Sequence, residues 1–547
     1  MWATDLKGSF RFEMAFFASI WPYLVFLAYV IGYNILYVGY GYSLVMDEGY
    51  LQSMAERILD GEKPYVDFYF LRTPLSLYIQ AFLMSIFKDG YTLLGARIFL
   101  VIQSSLMVIL TSFLYKRFCR GIELLLLLFL SYNVMTMLLD FPWYSYDGLF
   151  FAILSVLFFD IKKYYVAGLF GFLAGMAKQN YFLLIPLILL IIIIIKLLRK
   201  DIVLPGFWEM LKVMAGLFIP VVLFAGYLFF TDSLMAFYNN VLVLPRVCSG
   251  YSLYFSIFQD NVIALKAAFP MIVAVVLLNN SNSKKWLLYA IVLILFGIYG
   301  LAVIDNTRNF IFFIIFLTYA AATLYYSNSA ANKYYANCTS FTAFTPLIIY
   351  AIVIQYLAGF NYGGLFFANV GAGFALPVSY LIFRNVTILK FGRTTVYVIF
   401  LIITLLSIYH KHQFVYKDRG PKYLSSHFNC KKLGGIKSTE GNVQYVDSMV
   451  QFIESHSIKG ENIFVYPDFP GVYFLTNRRN PSPIGWYYKR EINDAMVAMS
   501  VEIMSQNKPE LILTFSEVIP EPIEKFISDY YEEISFDQMA RAYIKKE

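Results

Sequence analysis

The sequence predicts a multi-pass α-helical membrane protein of about 13 transmembrane helices, followed by a C-terminal extracytoplasmic α/β domain. Three observations predict it. The 547-residue chain is 59% hydrophobic and only 14% charged, against about 25% charged in an average soluble protein. Its apolar residues fall in runs long enough to cross a hydrocarbon core. Its charge is segregated: residues 411–547 carry 17 Lys/Arg and 18 Asp/Glu, while the threefold longer stretch 1–410 carries only 26 and 18. A soluble cytosolic enzyme and a disordered chain are both excluded, and four cysteines are too few for a disulfide framework.

Lipid offers backbone amides no partners, so a span needs about 20 mostly apolar residues in helical form. Thirteen stretches qualify: 15–38, 92–115, 121–138, 146–160, 163–177, 181–198, 207–230, 261–279, 286–304, 309–326, 341–359, 363–383 and 394–410. The first lacks a small-residue cleavage site and reads as a retained anchor. With the N-terminus in the cytoplasm, the inner connections collect 17 basic residues against 9 outside, and 6 acidic residues against 12 outside. That bias supports this register and orientation. An odd number of spans puts the first loop, 39–91, and the domain 411–547 together on the extracytoplasmic side.

The first loop is built unlike the others. It opens on Asp47-Glu48-Gly49-Tyr50, and an amphipathic helix pattern follows, with Leu51, Met54, Ala55, Ile58 and Leu59 on one face and Glu56, Arg57 and Asp60 opposite. Gly61 is placed to cap it. An extended stretch containing Asp67 leads through Arg72-Thr73-Pro74 to a second amphipathic helix, Leu75–Phe87. Two such helices predict a lid lying on the membrane. Other outer connections bring polar groups to the same face: Asp140 and Asp147 around span four, Lys178 at the end of span five, Arg246 after span seven, and Asp305 and Arg308 between spans nine and ten. Carboxylates and cations gathered on one face suit an anionic, lipid-anchored substrate, whose phosphate needs cations and whose reaction needs a proton acceptor.

The order Asp47-Glu48-Gly49-Tyr50, Gly61-x-x-Pro64-Tyr65-x-Asp67, Arg72-x-Pro74-Leu75 and then Arg97 early in span two resembles the GT-C membrane glycosyltransferases, in the branch of the protein O-mannosyltransferases and lipid A aminoarabinose transferases. The tail segment Tyr473-Phe474-Leu475-Thr476-Asn477-Arg478-Arg479-Asn480-Pro481 is similar to the external domain of bacterial members. The resemblance implies a bacterial inner-membrane enzyme that transfers a sugar from a polyprenyl-phosphate donor to a glycolipid, polysaccharide or protein acceptor at the extracytoplasmic face. It implies Asp47 as general base, with Glu48, Asp67 and Asp147 as further acidic candidates. Arg72 takes the place of a Lys usual before the Pro and, with Lys178, Arg246 and Arg308, would face the donor phosphate. The chain departs from the aminoarabinose transferases at Leu71, where they carry a carboxylate. The cofactor is left open: a divalent metal ion would have Asp47 and Asp147 as candidate ligands, and His410 and His412 flank the last span without completing a zinc site.

A sugar hydroxyl is a poor nucleophile, so a carboxylate takes its proton as it attacks the anomeric carbon, and direct displacement inverts that centre. Arg97 reads as a structural partner for a loop carboxylate. The alternative function is a transporter or flippase of polyisoprenoid-linked sugars or small molecules, which internal repeats and broken midplane helices would favour; neither pattern is in the sequence. No nucleic-acid-binding surface is predicted. In the tail, helix patterns over 443–457 and 491–506 flank strand candidates Ile463–Tyr466 and Leu511–Phe515.

Overall fold

The computed structural model describes residues 2–44, 47–87, 90–137, 141–198, 205–244, 339–359, 368–385, 393–413, 415–467, 469–487, 492–536 and 540–546. The sequence-predicted spans at 261–279, 286–304 and 309–326 lie outside these residues, as do Asp140, Arg246, Asp305 and Arg308.

The apolar runs among the described residues are helices. In chain order, α1 spans Trp2–Tyr37, α2 Asp47–Leu59, α3 Leu75–Ile86, α4 Thr92–Tyr115, α5 Ile122–Met135, α6 Tyr144–Asp160, α7 Tyr164–Ala177, α8 Leu184–Leu198, α9 Phe207–Phe230 and α10 Leu234–Tyr238; α11 Thr339–Gly359, α12 Ala368–Asn385 and α13 Arg393–Gln413 follow. Among the described residues, four stretches are long and apolar enough to cross a membrane unaided: Ile20–Tyr37, Thr92–Tyr115, Phe207–Phe230 and Val396–Gln413. Glycines let some of these helices approach to backbone contact. A Cβ on Gly168 would meet the Val213 carbonyl oxygen at 2.1 Å, and one on Gly216 the Tyr165 carbonyl oxygen at 2.1 Å, so α7 and α9 touch where both lack side chains.

The loop 39–91 departs from a surface lid. Helix α2 starts at Asp47, whose charge and that of Glu48 suit the positive end of the helix dipole. It ends where Gly61 takes φ +92° and the Gly61 and Glu62 amides donate back to Ile58 and Arg57. Its apolar Leu51, Met54 and Ala55 are buried, but so are Glu48, Gln52, Ser53 and Arg57. The charged face that was expected in water meets the C-terminal domain instead: Glu56 pairs with Lys432 at 2.9 Å, and Arg57 Nη1 donates to the Ser482 carbonyl at 2.8 Å. Burial pushes the Glu56 carboxyl up to about 7, with Lys432 opposing the shift. Helix α3 has the opposite dress. Its polar Ser76 and Gln80 are buried while Tyr78, Phe82 and Ile86 are exposed, a polarity suited to an apolar medium outside.

Beyond α13 the chain forms a mixed α/β unit. Short strands β1 (Ser426–His427) and β2 (Lys437–Ser438) pair antiparallel, and α14 (Glu440–His456) follows, its first turn capped by Thr439, which accepts from the Asn442 amide. Then come β3 (Ile463–Tyr466), α15 (Gly471–Thr476), α16 (Asp494–Gln506), β4 (Leu511–Thr514), α17 (Glu521–Tyr530), β5 (Tyr531–Ile534) and β6 (Arg541–Lys545). The sheet order is β3-β4-β6-β5, with β3 and β4 parallel and the other pairs antiparallel. Strand alternation sends Ile463, Val465, Leu511 and Leu513 into the cluster that holds Val446, Met449 and Ile453 of α14. Phe464, Ile512 and Tyr543 go to the opposite face, with Met496, Met504 and Phe526 of α16 and α17. The two sequence-predicted helices are present as α14 and α16 and the two predicted strands as β3 and β4; α15, α17, β1, β2, β5 and β6 are additional.

The two parts are stitched together at the loop. The Gly41 amide donates to the Lys437 carbonyl, and the Lys437 amide to Gly39, both at 2.7 Å; the Tyr69 amide donates to Pro483 at 2.8 Å. Helix α15 lies on α2 so closely that a Cβ on Gly49 would sit 2.8 Å from Gly471 Cα.

Candidate active site

Two buttons fix the Arg72 segment beside Lys178. A helix C-terminus leaves carbonyls without intrahelical partners. Here Thr73 Oγ1 donates to the Gly175 carbonyl at 2.8 Å and Ser76 Oγ to that of Ala177 at 3.2 Å, so the end of α7 is satisfied by the segment that carries Arg72. Gln179 Nε2 adds a bond to Leu71 O at 3.2 Å. The chain turns extended at Lys178 before a short 3-10 helix, Gln179–Leu183, which aims the Lys178 side chain inward. Lys178 is 2% exposed; its Nζ donates to Ser145 Oγ at 3.2 Å and to the Ala358 carbonyl at 2.8 Å. The Arg72 guanidinium and the Lys178 ammonium both face the ring of Tyr144, at 5.3 and 5.9 Å, and each lies within electrostatic reach of the other. Two like charges held this close cost energy that an anion between or beside them returns.

Asp47 lies across a run of aromatic rings from this pair. Its Oδ2 accepts a hydrogen bond from the Tyr416 hydroxyl, which comes from the turn just after α13. Tyr416 packs on Phe141 at 5.4 Å, Phe141 on Trp143 at 6.0 Å, and Trp143 on Tyr144 at 4.2 Å, where the two cations begin. One wall thus connects the carboxylate to both cations. Asp147 sits in the first turn of α6, three residues after Tyr144, 1% exposed, with Oδ1 accepting from Gln103 Nε2 at 2.8 Å. Gly148 beside it gives room: a Cβ there would meet the Tyr181 ring at 2.7 Å and Lys178 Cβ at 3.2 Å.

The other acidic candidates take different positions. Glu48 is 2% exposed and bound to Arg97, itself fully buried, through contacts of 2.7 and 3.1 Å; Arg97 also donates to the carbonyls of Val38, Tyr40 and Gly41. That makes the pair a staple between the end of α1, the start of α2 and α4. Asp67 is exposed and its Oδ2 accepts from the Lys63 amide at 2.6 Å, closing the turn before the extended stretch. Among the described residues no three His, Cys, Asp or Glu side chains converge.

Sequence reasoning missed Tyr416. It lies 369 residues from Asp47, and no spacing links the two. The rings of Phe141, Trp143 and Tyr144, in the connection that leads into α6, form the wall between Tyr416 and the two cations.

No protein-family model matches the chain, and no curated protein matches it. Among solved structures, the chain is similar to the crystal structure of ArnT from Cupriavidus metallidurans in the apo state, at 13% identity and a TM-score of 0.45. It is also similar to that of the same protein bound to undecaprenyl phosphate, at 12% identity and a TM-score of 0.41. Both comparisons cover 95% of this chain and 97% of the other.

Proposed function

We propose that this chain is an integral membrane glycosyltransferase, which moves a sugar from a polyprenyl-phosphate donor to a glycolipid, polysaccharide or protein acceptor on the extracytoplasmic face. The observation that carries the reading is the single aromatic wall with a carboxylate at one end and two cations at the other. The donor phosphate lies at Arg72 and Lys178, and the acceptor hydroxyl at Asp47. As the acceptor oxygen bonds to the anomeric carbon, its proton passes to Asp47 and the bond from that carbon to the phosphate oxygen breaks. The departing polyprenyl phosphate gains negative charge, which the two cations stabilise in a largely dehydrated pocket. Attack opposite the leaving group inverts the anomeric centre.

In this reading Asp147 holds the first turn of α6 after Tyr144, Glu48 and Arg97 hold the start of α2 in place, and Asp67 sets the turn that delivers Arg72. Arg246 and Arg308 are further phosphate-side cations, and thirteen spans put the loop and the C-terminal domain on the same outer side. The test is transfer of radiolabelled sugar from polyprenyl-phosphate sugars in liposomes. Asp47→Asn lowers the transfer rate by about 10²–10⁴-fold. Undiminished transfer refutes the base assignment, and label crossing the bilayer without a new glycosidic bond refutes the enzyme.

A further inference from the structure

A series of close contacts starts at the Asp47 carboxylate. Tyr416 donates to it, and the Lys417 ammonium, next in the chain, lies 5.5 Å from the Tyr416 ring and 5.5 Å from the Trp486 ring. The Trp486 ring lies 5.4 Å from Tyr50, which stands one helical turn after Asp47 on α2. The series Asp47, Tyr416, Lys417, Trp486, Tyr50 starts and ends on α2. Tyr50, Tyr416, Trp486 and Asp47 are half-buried and Lys417 is exposed, so the group is reachable from outside.

Its members are held with some effort. Lys417 takes φ +53°, a left-handed conformation that side chains rarely adopt and that clusters at functional positions. The turn around it is pinned: the Asp418 amide donates to Val415 at 3.2 Å, and Asp418 Oδ2 accepts from Ser438 Oγ at 2.6 Å and from the Tyr42 amide at 3.3 Å. On the opposite side, Gly485 lets the chain leading to Trp486 press against α2, where a Cβ would meet Met54 Sδ at 2.6 Å and Tyr50 at 3.3 Å. Lys417 and Trp486 come from beyond α13, whereas Tyr50 and Arg72 belong to the first loop and Lys178 to the helical body.

We propose that Tyr50, Lys417 and Trp486 form the acceptor subsite, which takes a carbohydrate ring bearing an anionic substituent. The proposal rests on the transferase reading above and deepens it. An indole face is electron-rich and packs against the C–H face of a pyranose, and the phenol of Tyr50 supplies a second apolar edge. A sugar stacked there brings a hydroxyl to Asp47, at the end of the wall away from Arg72 and Lys178. Lys417 stands beside the ring, where it meets a carboxylate or phosphate on the same sugar or its neighbour. Such a site is mostly aromatic with few placed polar groups, as carbohydrate and small-molecule sites are.

The test needs no transfer. Intrinsic tryptophan fluorescence of the full chain in detergent is titrated with glucuronate, glucose and inorganic sulfate, and the signal of Trp486 is taken as the difference between wild type and Trp486→Phe. Glucuronate is expected to quench that difference signal, glucose to do so about threefold more weakly, and sulfate not at all. Lys417→Gln removes the preference for glucuronate and leaves glucose unchanged. An unmoved Trp486 signal overturns the subsite, as does a preference that survives Lys417→Gln. Quenching by an unstructured acidic peptide in place of the sugars overturns it in favour of a protein acceptor. Sugar binding in the absence of any transferase activity would instead sink the transferase reading and the word acceptor with it.

Discussion

Arg97→Met removes the staple that sets where Asp47 stands. Arg97 is fully buried and makes two contacts to Glu48, at 2.7 and 3.1 Å, and three to backbone carbonyls, at 3.3, 2.9 and 2.7 Å. Methionine fills much of the same volume but satisfies none of them. Glu48, 2% exposed, is left as a buried carboxylate without its cation, a loss of about 3–5 kcal/mol when one partner of a buried pair is removed. The readout is the temperature at which Cys119, buried at 3% exposure, becomes reactive to a thiol dye in a background where it is the sole cysteine. Arg97→Met lowers that temperature by roughly 5 °C or more. Arg97→Lys, which keeps the charge but not the planar fork, lowers it less. Glu48→Leu combined with Arg97→Met recovers part of the loss, because no charge is then stranded. The recovery is partial, since the carbonyls of Val38, Tyr40 and Gly41 still lack their donor. Unmasking of Cys119 at the wild-type temperature in Arg97→Met, or a double variant as unstable as the two single losses summed, would refute this account of the pair.

Tyr416→Phe removes the hydroxyl that orients Asp47 and leaves the ring on Phe141; it lowers kcat for sugar transfer about tenfold to hundredfold with the donor KM unchanged, and an unchanged kcat would count against it. Gly49→Ala places a Cβ 2.8 Å from Gly471 Cα, backbone against backbone, so α15 must move off α2; limited proteolysis should release the C-terminal unit faster than in wild type. Glu56 titrates at a raised value of about 7 in the folded protein against an ordinary 4.5, so the folded state holds its proton more tightly than the unfolded. The stability it contributes is therefore full below about 4.5 and is lost as pH rises toward 7. Glu56→Gln should flatten the fall in unmasking temperature across that window, and an equal fall in both proteins would show that another group is responsible.

Much of the helical body was legible because lipid leaves the sequence little choice. The stretches predicted at 92–115 and 207–230 are the helices Thr92–Tyr115 and Phe207–Phe230, since long apolar runs end where charge, Gly or Pro begins. In the tail, the strand Ile463–Tyr466 announced itself by an unbroken apolar and aromatic run. Strands β5 and β6 did not: Glu532, Glu533 and Lys545 put charge into them, and their place in the sheet is set by pairing with each other and with β4. Helix α2 was readable as a helix but not as a clamped one. Glu56 and Arg57 look like a solvated face until Lys432 and Ser482, more than 370 residues downstream, are brought against them. Asp147 and Lys178 stand out as charges in costly places near span ends, which local sequence does reveal, whereas Asp47 and Arg72 stand out only through the ordered pattern of the first loop. Tyr416 could not, because nothing about a tyrosine after an apolar run says which carboxylate it will reach.

Helix α3 carries its polarity inside out, with Ser76 and Gln80 turned inward and Tyr78, Phe82 and Ile86 turned outward. A scan of substitutions along it should therefore read as the negative of one taken on a water-soluble helix. Greasy replacements at 78, 82 and 86 would pass unnoticed, a lysine at any of them would be resisted, and the intolerant positions would be the small hydroxyl at 76 and the amide at 80. The same inversion means that this segment, cut out and placed in water, has no reason to keep its shape.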